Sequence, residues 1–232
     1  MVRSIAVALV GLACTAEPTD LGQFADLGEP PETCSPGVDN AGVPQGAVEA
    51  LQAVGDSILA HNKETASSVA DAAAEALGVP LVHNATGGAT VFDGGIPGQY
   101  EPGTHSHVLF TGGGNDFGTD CTLDLLDRLI TEDLSDGLVV ELADRVAADG
   151  AQLVIVGYYL PRDRDIGCPL IIELLTRYRA LATSRDDVGF VCTLDAVQPE
   201  ASELYDDPIH PSPAGAAAVG RAIADWFDAS ID

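Results

Sequence analysis

Four short apolar runs constrain the fold of this chain more than any other feature: residues 79–83, 107–111, 152–157 and 188–193, each bounded by glycine or polar residues. Apolar runs of that length without polar alternation read as strands covered on both faces. Between them, Ala66, Val69, Ala70, Ala73 and Leu77 recur at helical spacing and stop at Gly78. Leu138, Val139, Leu142 and Val146 do the same before Gly150. A glycine just past the last apolar position is a helix stop, so both stretches read as amphipathic helices lying on a sheet. Strands and helices in alternation imply βαβ units and hence an α/β fold with a central parallel sheet. All four runs are expected to be central or near-central strands. A last helix is expected over 213–227, with Pro213 in its first turn and Ala214, Ala218, Ile223 and Trp226 available to the core. Residues 49–54 suit helix or strand equally by propensity; the turn that follows them favours a strand, for a sheet of about five.

A chain of 232 residues can close one generous core, since chains divide into domains only beyond roughly 250 residues. One domain is therefore expected over 47–232. Ahead of it, residues 17–46 hold Pro18, Pro30, Pro31, Pro36 and Pro44 among acids and glycines, a loop-rich lead-in. Residues 1–16 place Arg3 before a short apolar run and small residues after it, the layout of a secretory signal peptide. Cleavage after Ala16 frees the chain, whereas cleavage after Ala13 leaves Cys14 as a lipid-bearing N-terminus. The protein is accordingly expected to be secreted or periplasmic. In an oxidising compartment the remaining cysteines, Cys34, Cys121, Cys168 and Cys192, suggest two disulfides. Cys121 with Cys168 is the favoured pair, because both fall in loops at one end of the sheet.

Thirty-six acidic residues against ten basic ones give a formal net charge of −26. Such a balance argues against nucleic acid and anionic membranes as partners and disfavours anionic substrates. A neutral small molecule fits better, and nothing in the chain calls for an oligomer.

Four segments carry polar chemistry at strand ends. Gly55-Asp56-Ser57 closes the first strand, where either Asp56 or Ser57 could simply cap the helix that begins there. The second strand runs into His83-Asn84-Ala85-Thr86-Gly87-Gly88, whose glycines let backbone approach a ligand closely. The third runs into Gly112-Gly113-Gly114-Asn115-Asp116. Finally, Asp206-Asp207-Pro208-Ile209-His210 precedes the last helix, with an acid three residues before an imidazole.

In that order these segments resemble the four blocks of the SGNH, or GDSL, hydrolases: a GDS serine, a glycine, a GxND asparagine and a DxxH pair. The likeness spans Gly55 to His210. It implies the family's three-layer α/β/α sandwich, similar to flavodoxin, and acyl transfer through a serine without a cofactor. Carried over residue by residue, Ser57 is the nucleophile, His210 the base and Asp207 rather than Asp206 its partner. The oxyanion hole falls to the N–H groups of Ser57 and Gly88 and the Asn115 amide, with Gly87 in place of Gly88 if that block is offset by one. The expected activity is hydrolysis of neutral carboxylic esters of short to medium acyl chain. O-acyl transfer or deacetylation on a carbohydrate and lysophospholipid hydrolysis would use the same apparatus, and a non-catalytic binding protein would not need it. The GxSxG turn of the common α/β-hydrolases is absent, since residues 55–59 read GDSIL.

Two further histidine features stand apart. His105 and His107 form an HxH pair but lack a third ligand at sensible spacing, so no metal is expected. His61 lies one helical turn after Ser57, at the rim of the site or on the surface. The long segment 158–169, with Pro161, Arg162, Arg164 and Asp165, is expected to shape the substrate pocket.

Overall fold

The computed structural model describes residues 46–229 apart from 104, 119, 160, 163–167 and 199. The leader, the Cys14 site and nearly all of the proline-rich lead-in lie outside the described residues. Five parallel strands form the sheet: β1 (Leu51–Val54), β2 (Leu81–His83), β3 (His107–Phe110), β4 (Gln152–Val156) and β5 (Val188–Val191), in the order β2-β1-β3-β4-β5. The chain therefore steps outward from β1 to β2 and then crosses back to β3. That reversal opens a crevice at the carboxyl ends of β1 and β3, the usual place for a ligand in such sheets.

Residue alternation explains the layers. Val54, Val108, Phe110, Leu153 and Ile155 point into one core, with α4 (Leu123–Leu129), α5 (Leu138–Ala148) and α6 (Leu170–Ser184) packed on it. Leu51, Ala53, Leu109, Val154 and Val156 point into the other, covered by α1 (Ser57–Ala60), α2 (Val69–Leu77) and α7 (Pro213–Asp228). Burying each large aliphatic side chain contributes about 1.5–3 kcal/mol. With both faces covered, the strands need no polar alternation, and the sandwich is the three-layer α/β/α arrangement expected. A one-turn helix, α3 (Gly114–Phe117), follows β3.

Several details differ from the sequence reading. Strand β2 spans only Leu81–His83 and is an edge, with Val82 47 % exposed. Val79 N–H instead closes the end of α2 on the Ala74 carbonyl, which removes it from the ladder. Strand β5 forms the other edge. Helix α2 starts at Val69, with Ser68 and Asp71 forming a capping box, so Ala66 is left outside in a left-handed turn. On α7 the buried face is Ala216, Val219, Gly220, Ile223, Ala224 and Phe227; Ala214 is exposed, and Ala218 and Trp226 are only partly covered. The face is set by close contact with α2. A Cβ on Gly220 would come within 2.6 Å of Ala72 Cβ, so the two helices meet at a glycine. Helix α6 carries Leu170, Leu174, Tyr178 and Leu181 at helical spacing into the core, a pattern visible in the sequence that the strand-led reading passed over.

Cys121, between α3 and α4, is disulfide-bonded to Cys168, just before α6, with Cα atoms 5.6 Å apart. No helix among the described residues is long and apolar enough to cross a membrane.

Candidate active site

Ser57 is the first residue of α1, immediately beyond β1. The turn that carries it is fixed from several directions. Gly55 donates its N–H to Gln99 Oε1 (2.6 Å), and its carbonyl accepts from Gln99 Nε2 (3.1 Å) and from Thr86 N–H (3.0 Å). One side-chain amide thus pairs both backbone groups of the glycine, as a neighbouring strand would. A Cβ at Gly55 would lie 2.5 Å from Thr111 Oγ1, so only glycine lets β1 and β3 run this close. Asp56 is buried and caps α1, accepting from Ile58 N–H (3.0 Å), Thr111 Oγ1 (2.9 Å) and the Tyr158 hydroxyl (2.7 Å). Burial raises its carboxyl pKa against those three donors. The cap that the sequence allowed at this turn is therefore Asp56, which leaves the Ser57 hydroxyl free: it makes no hydrogen bond among the described residues.

The loops after β2 and β3 come to the same place. A Cβ on Gly87 would sit 4.0 Å from Ser57 Cβ, so the Gly87-Gly88 turn passes beside the serine, with Gly88 at a φ of 73° that favours glycine. Asn115, on the exposed first turn of α3, donates from Nδ2 to the Ala89 carbonyl (3.0 Å). The buried Asp116 accepts from Val91 N–H (3.0 Å) and Phe92 N–H (2.8 Å), stitching these two loops together. Its carboxyl is raised by burial, opposed by those backbone donors. A Lys63 ammonium on the Ala85 carbonyl (2.7 Å) braces the same loop.

His210 and Asp207 meet as the DxxH spacing requires. His210 Nδ1 lies 2.7 Å from Asp207 Oδ2, while Asp207 Oδ1 accepts from the backbone N–H groups of Ile209 (2.8 Å) and His210 (2.7 Å). Burial pushes the Asp207 carboxyl up, but the hydrogen bonds from His210 and Ile209 outweigh it and hold its pKa at about 2. It is ionised at neutral pH and can only accept, so His210 Nδ1 carries the proton shared with it. Asp206, one residue earlier, turns away to His61 Nε2 (3.1 Å) and Asn62 Nδ2 (2.9 Å). The His61 ring stacks on His210, centroids 4.7 Å apart and planes 16° apart, and the backbone N–H of His61 donates to the Ser57 carbonyl (2.8 Å), closing the helical turn. The stack sets the His210 ring against the residue that ends the serine turn, and no hydrogen bond joins His210 to Ser57 among the described residues.

The start of segment 158–169 ties the loops of the site to one another. Tyr158 donates to Asp56 and accepts from Gly114 N–H (3.0 Å), joining the serine turn to the asparagine loop. Tyr159 donates to the Ile209 carbonyl (2.8 Å), and Arg162 N–H donates to the Pro208 carbonyl (2.9 Å), joining β4 to the histidine loop. Arg164 and Asp165 lie outside the described residues. Sequence reasoning missed Gln99, Tyr158, Tyr159 and Asp116 as supports of the site. The tyrosines alone carried a signal, as a pair directly beyond a strand end. Among the described residues no group of three or more His, Cys, Asp or Glu is placed to hold a metal.

The model of the GDSL-like lipase/acylhydrolase family matches residues 53–218. Similar solved structures include TesA (TM-score 0.60, 21 % identity, covering 79 % of this chain and 100 % of that one). Another is a member of the lipolytic protein G-D-S-L family from Veillonella parvula (TM-score 0.57, 14 % identity, covering 75 % and 95 %). A carbohydrate esterase family 2 enzyme with a carbohydrate binding domain, from Corynascus thermopiles, is also similar (TM-score 0.57, 17 % identity, covering 82 % and 69 %). At these identities the likeness is one of fold. No curated protein matches the chain.

Proposed function

Because this chain belongs to the GDSL-like lipase/acylhydrolase family, we propose that it is an exported serine esterase that cleaves neutral carboxylic esters of short to medium acyl chain through an acyl-enzyme at Ser57. The observation that carries this reading is the His210 ring, held by Asp207 at 2.7 Å and stacked on the ring of His61, the residue that ends the helical turn begun by Ser57.

A serine hydroxyl is a poor nucleophile at neutral pH and needs a base to take its proton as it attacks. In this mechanism Ser57 Oγ adds to the ester carbonyl carbon while His210 Nε2 accepts the hydroxyl proton. Asp207, already ionised, steadies the imidazolium. The negative charge that develops on the carbonyl oxygen is met by the N–H groups of Ser57 and Gly88 and the Asn115 amide, each such donor being worth about 3–4 kcal/mol in the transition state. Collapse breaks the ester C–O bond, and His210 returns the proton to the departing alcohol. Water then attacks the acyl-serine with the same base, releasing the acid and restoring Ser57. The net charge of −26 would repel anionic esters, which is why neutral substrates are favoured. Export is supported by the signal-like residues 1–16 and by the Cys121–Cys168 disulfide, a bond that persists in oxidising compartments.

A panel of p-nitrophenyl esters from acetate to long-chain, run on wild type and Ser57→Ala without any acceptor alcohol, tests the proposal. Acid release that peaks at short to medium chains and vanishes in the variant is expected. Activity retained by Ser57→Ala would refute the acyl-enzyme, and faster turnover of the longest esters or of lysophospholipids would refute the chain-length preference.

A further inference from the structure

The two adjacent acids of the histidine loop have separate tasks: Asp207 binds His210, whereas Asp206 binds His61 and Asn62. Asn62, in a left-handed turn at φ 66°, also donates to the Pro211 carbonyl (3.3 Å). Residues 61 and 62 therefore grip the histidine loop on both sides of His210, at 206 and at 211. The loop is itself closed by Asp206 N–H on the His210 carbonyl (3.0 Å) and by a bridge between Tyr205 and Pro211. Face to face at 4.7 Å, the rings of His61 and His210 leave His210 little freedom to swing about its own Cβ–Cγ bond.

We infer that His61, anchored by Asp206, is a positioning residue for the base: its stacked ring holds His210 with Nδ1 on Asp207. This rests on the reading of His210 as the base. The effect belongs to the transition state more than to substrate binding. When His210 takes the serine proton its Nδ1–H must stay on the Asp207 carboxylate, and a ring held in place by stacking keeps it there. His61 is fixed with its Nε2 toward the Asp206 carboxylate, so the face it presents to His210 does not change during the cycle. Because His61 directly follows the helical turn Ser57–Ala60, the same contact ties the histidine loop to the serine turn. Misplacement of reacting groups by a fraction of an ångström is costly.

The test is steady-state hydrolysis of a short-chain p-nitrophenyl ester by His61→Ala, His61→Phe and Asp206→Asn, beside Ser57→Ala. Loss of the stacked ring is expected to lower kcat about tenfold with KM little changed. His61→Phe, which keeps a flat ring, should recover most of the loss, and Asp206→Asn should lower kcat less than His61→Ala does. The chain has only five histidines, so ring ¹⁵N spectra can follow His210 directly; its hydrogen-bonded Nδ1–H signal should broaden in His61→Ala and return in His61→Phe. An unchanged kcat in His61→Ala, a change confined to KM, or a phenylalanine variant no better than alanine would overturn the inference. Activity surviving in Ser57→Ala would instead overturn the acyl-enzyme reading on which it stands, whatever the His61 variants do.

Discussion

Both ends of the sheet carry a pair of histidines, and the pairs differ in everything but residue type. At the carboxyl ends, His61 and His210 are partly exposed, lie ring on ring, and each reaches a carboxylate of its own. At the amino ends, His105 and His107 are buried, and neither hydrogen-bonds a carboxylate among the described residues. His107 Nδ1 instead meets Ser106 Oγ (2.9 Å), with its ring edge-on to Phe227, and His105 lies edge-on to Tyr100. Burial lowers the pKa of both. Imidazole does not choose its role. Backbone amides and carboxylates gathered where the strands end give each imidazole an acidic partner, while at the other end of the same sheet burial among apolar and aromatic neighbours favours the neutral ring.

Asp207→Asn should break this contrast most severely, because it makes His210 resemble His107, an imidazole without a carboxylate. Loss of the ionised partner frees the tautomer, and kcat on a short-chain ester should fall about 10³–10⁴-fold. Asn115→Ala removes a donor that only the carboxyl end possesses; kcat should drop about 10²–10³-fold with KM largely preserved, as befits a contact made in the transition state. Tyr158→Phe unties the serine turn from Gly114 without touching either loop's own residues. A fall in kcat on the order of tenfold is expected, and a wild-type rate would show that Asp56 and Thr111 suffice to hold the turn.

His107→Gln probes the other end and should leave kcat unchanged. Its effect is on stability against pH. The folded pKa of His107 lies below the ordinary 6.5, so the unfolded chain binds the proton more readily. Stability is complete above pH 6.5 and declines as pH falls below it toward the folded pKa. Thermal melts at a series of pH values should show a shallower acid slope in His107→Gln than in wild type. His83 and His105, also lowered mainly by burial, contribute to the slope that remains, and the lowered carboxylates Asp207 and Asp187 extend it to more acid pH. An altered kcat would mean that the two ends are coupled.

What the sequence disclosed follows the range of the interaction. Strands β3, β4 and β5 are legible as short apolar runs, whereas β1, which includes Gln52, is placed only by the turn that follows it. Asp207 and His210 are legible because they are three residues apart. Gln99 on Gly55, Tyr158 on Asp56 and Asp206 on His61 are separated by 44, 102 and 145 residues, and nothing periodic or local marks such pairs. The choice of Asp207 over Asp206 came from resemblance alone, and its physical reason lies in the loop: the Asp207 carboxylate also accepts two backbone N–H groups, while Asp206 faces the other way. The misjudged face of α7 has a similar origin, since only its contact with α2 at Gly220 tells which alanines are covered.

The link between Cys121 and Cys168 closes 47 residues of chain that include all of α4, α5 and β4, and its outer neighbours are the asparagine loop on one side and α6 on the other. Closing a loop of that length removes about 4 kcal/mol of chain entropy from the unfolded ensemble, a large share of what holds a domain of this size together. The sturdiness of this protein is therefore partly a property of the medium in which it folds: the same polypeptide made under reducing conditions gives up that share before any substrate is met.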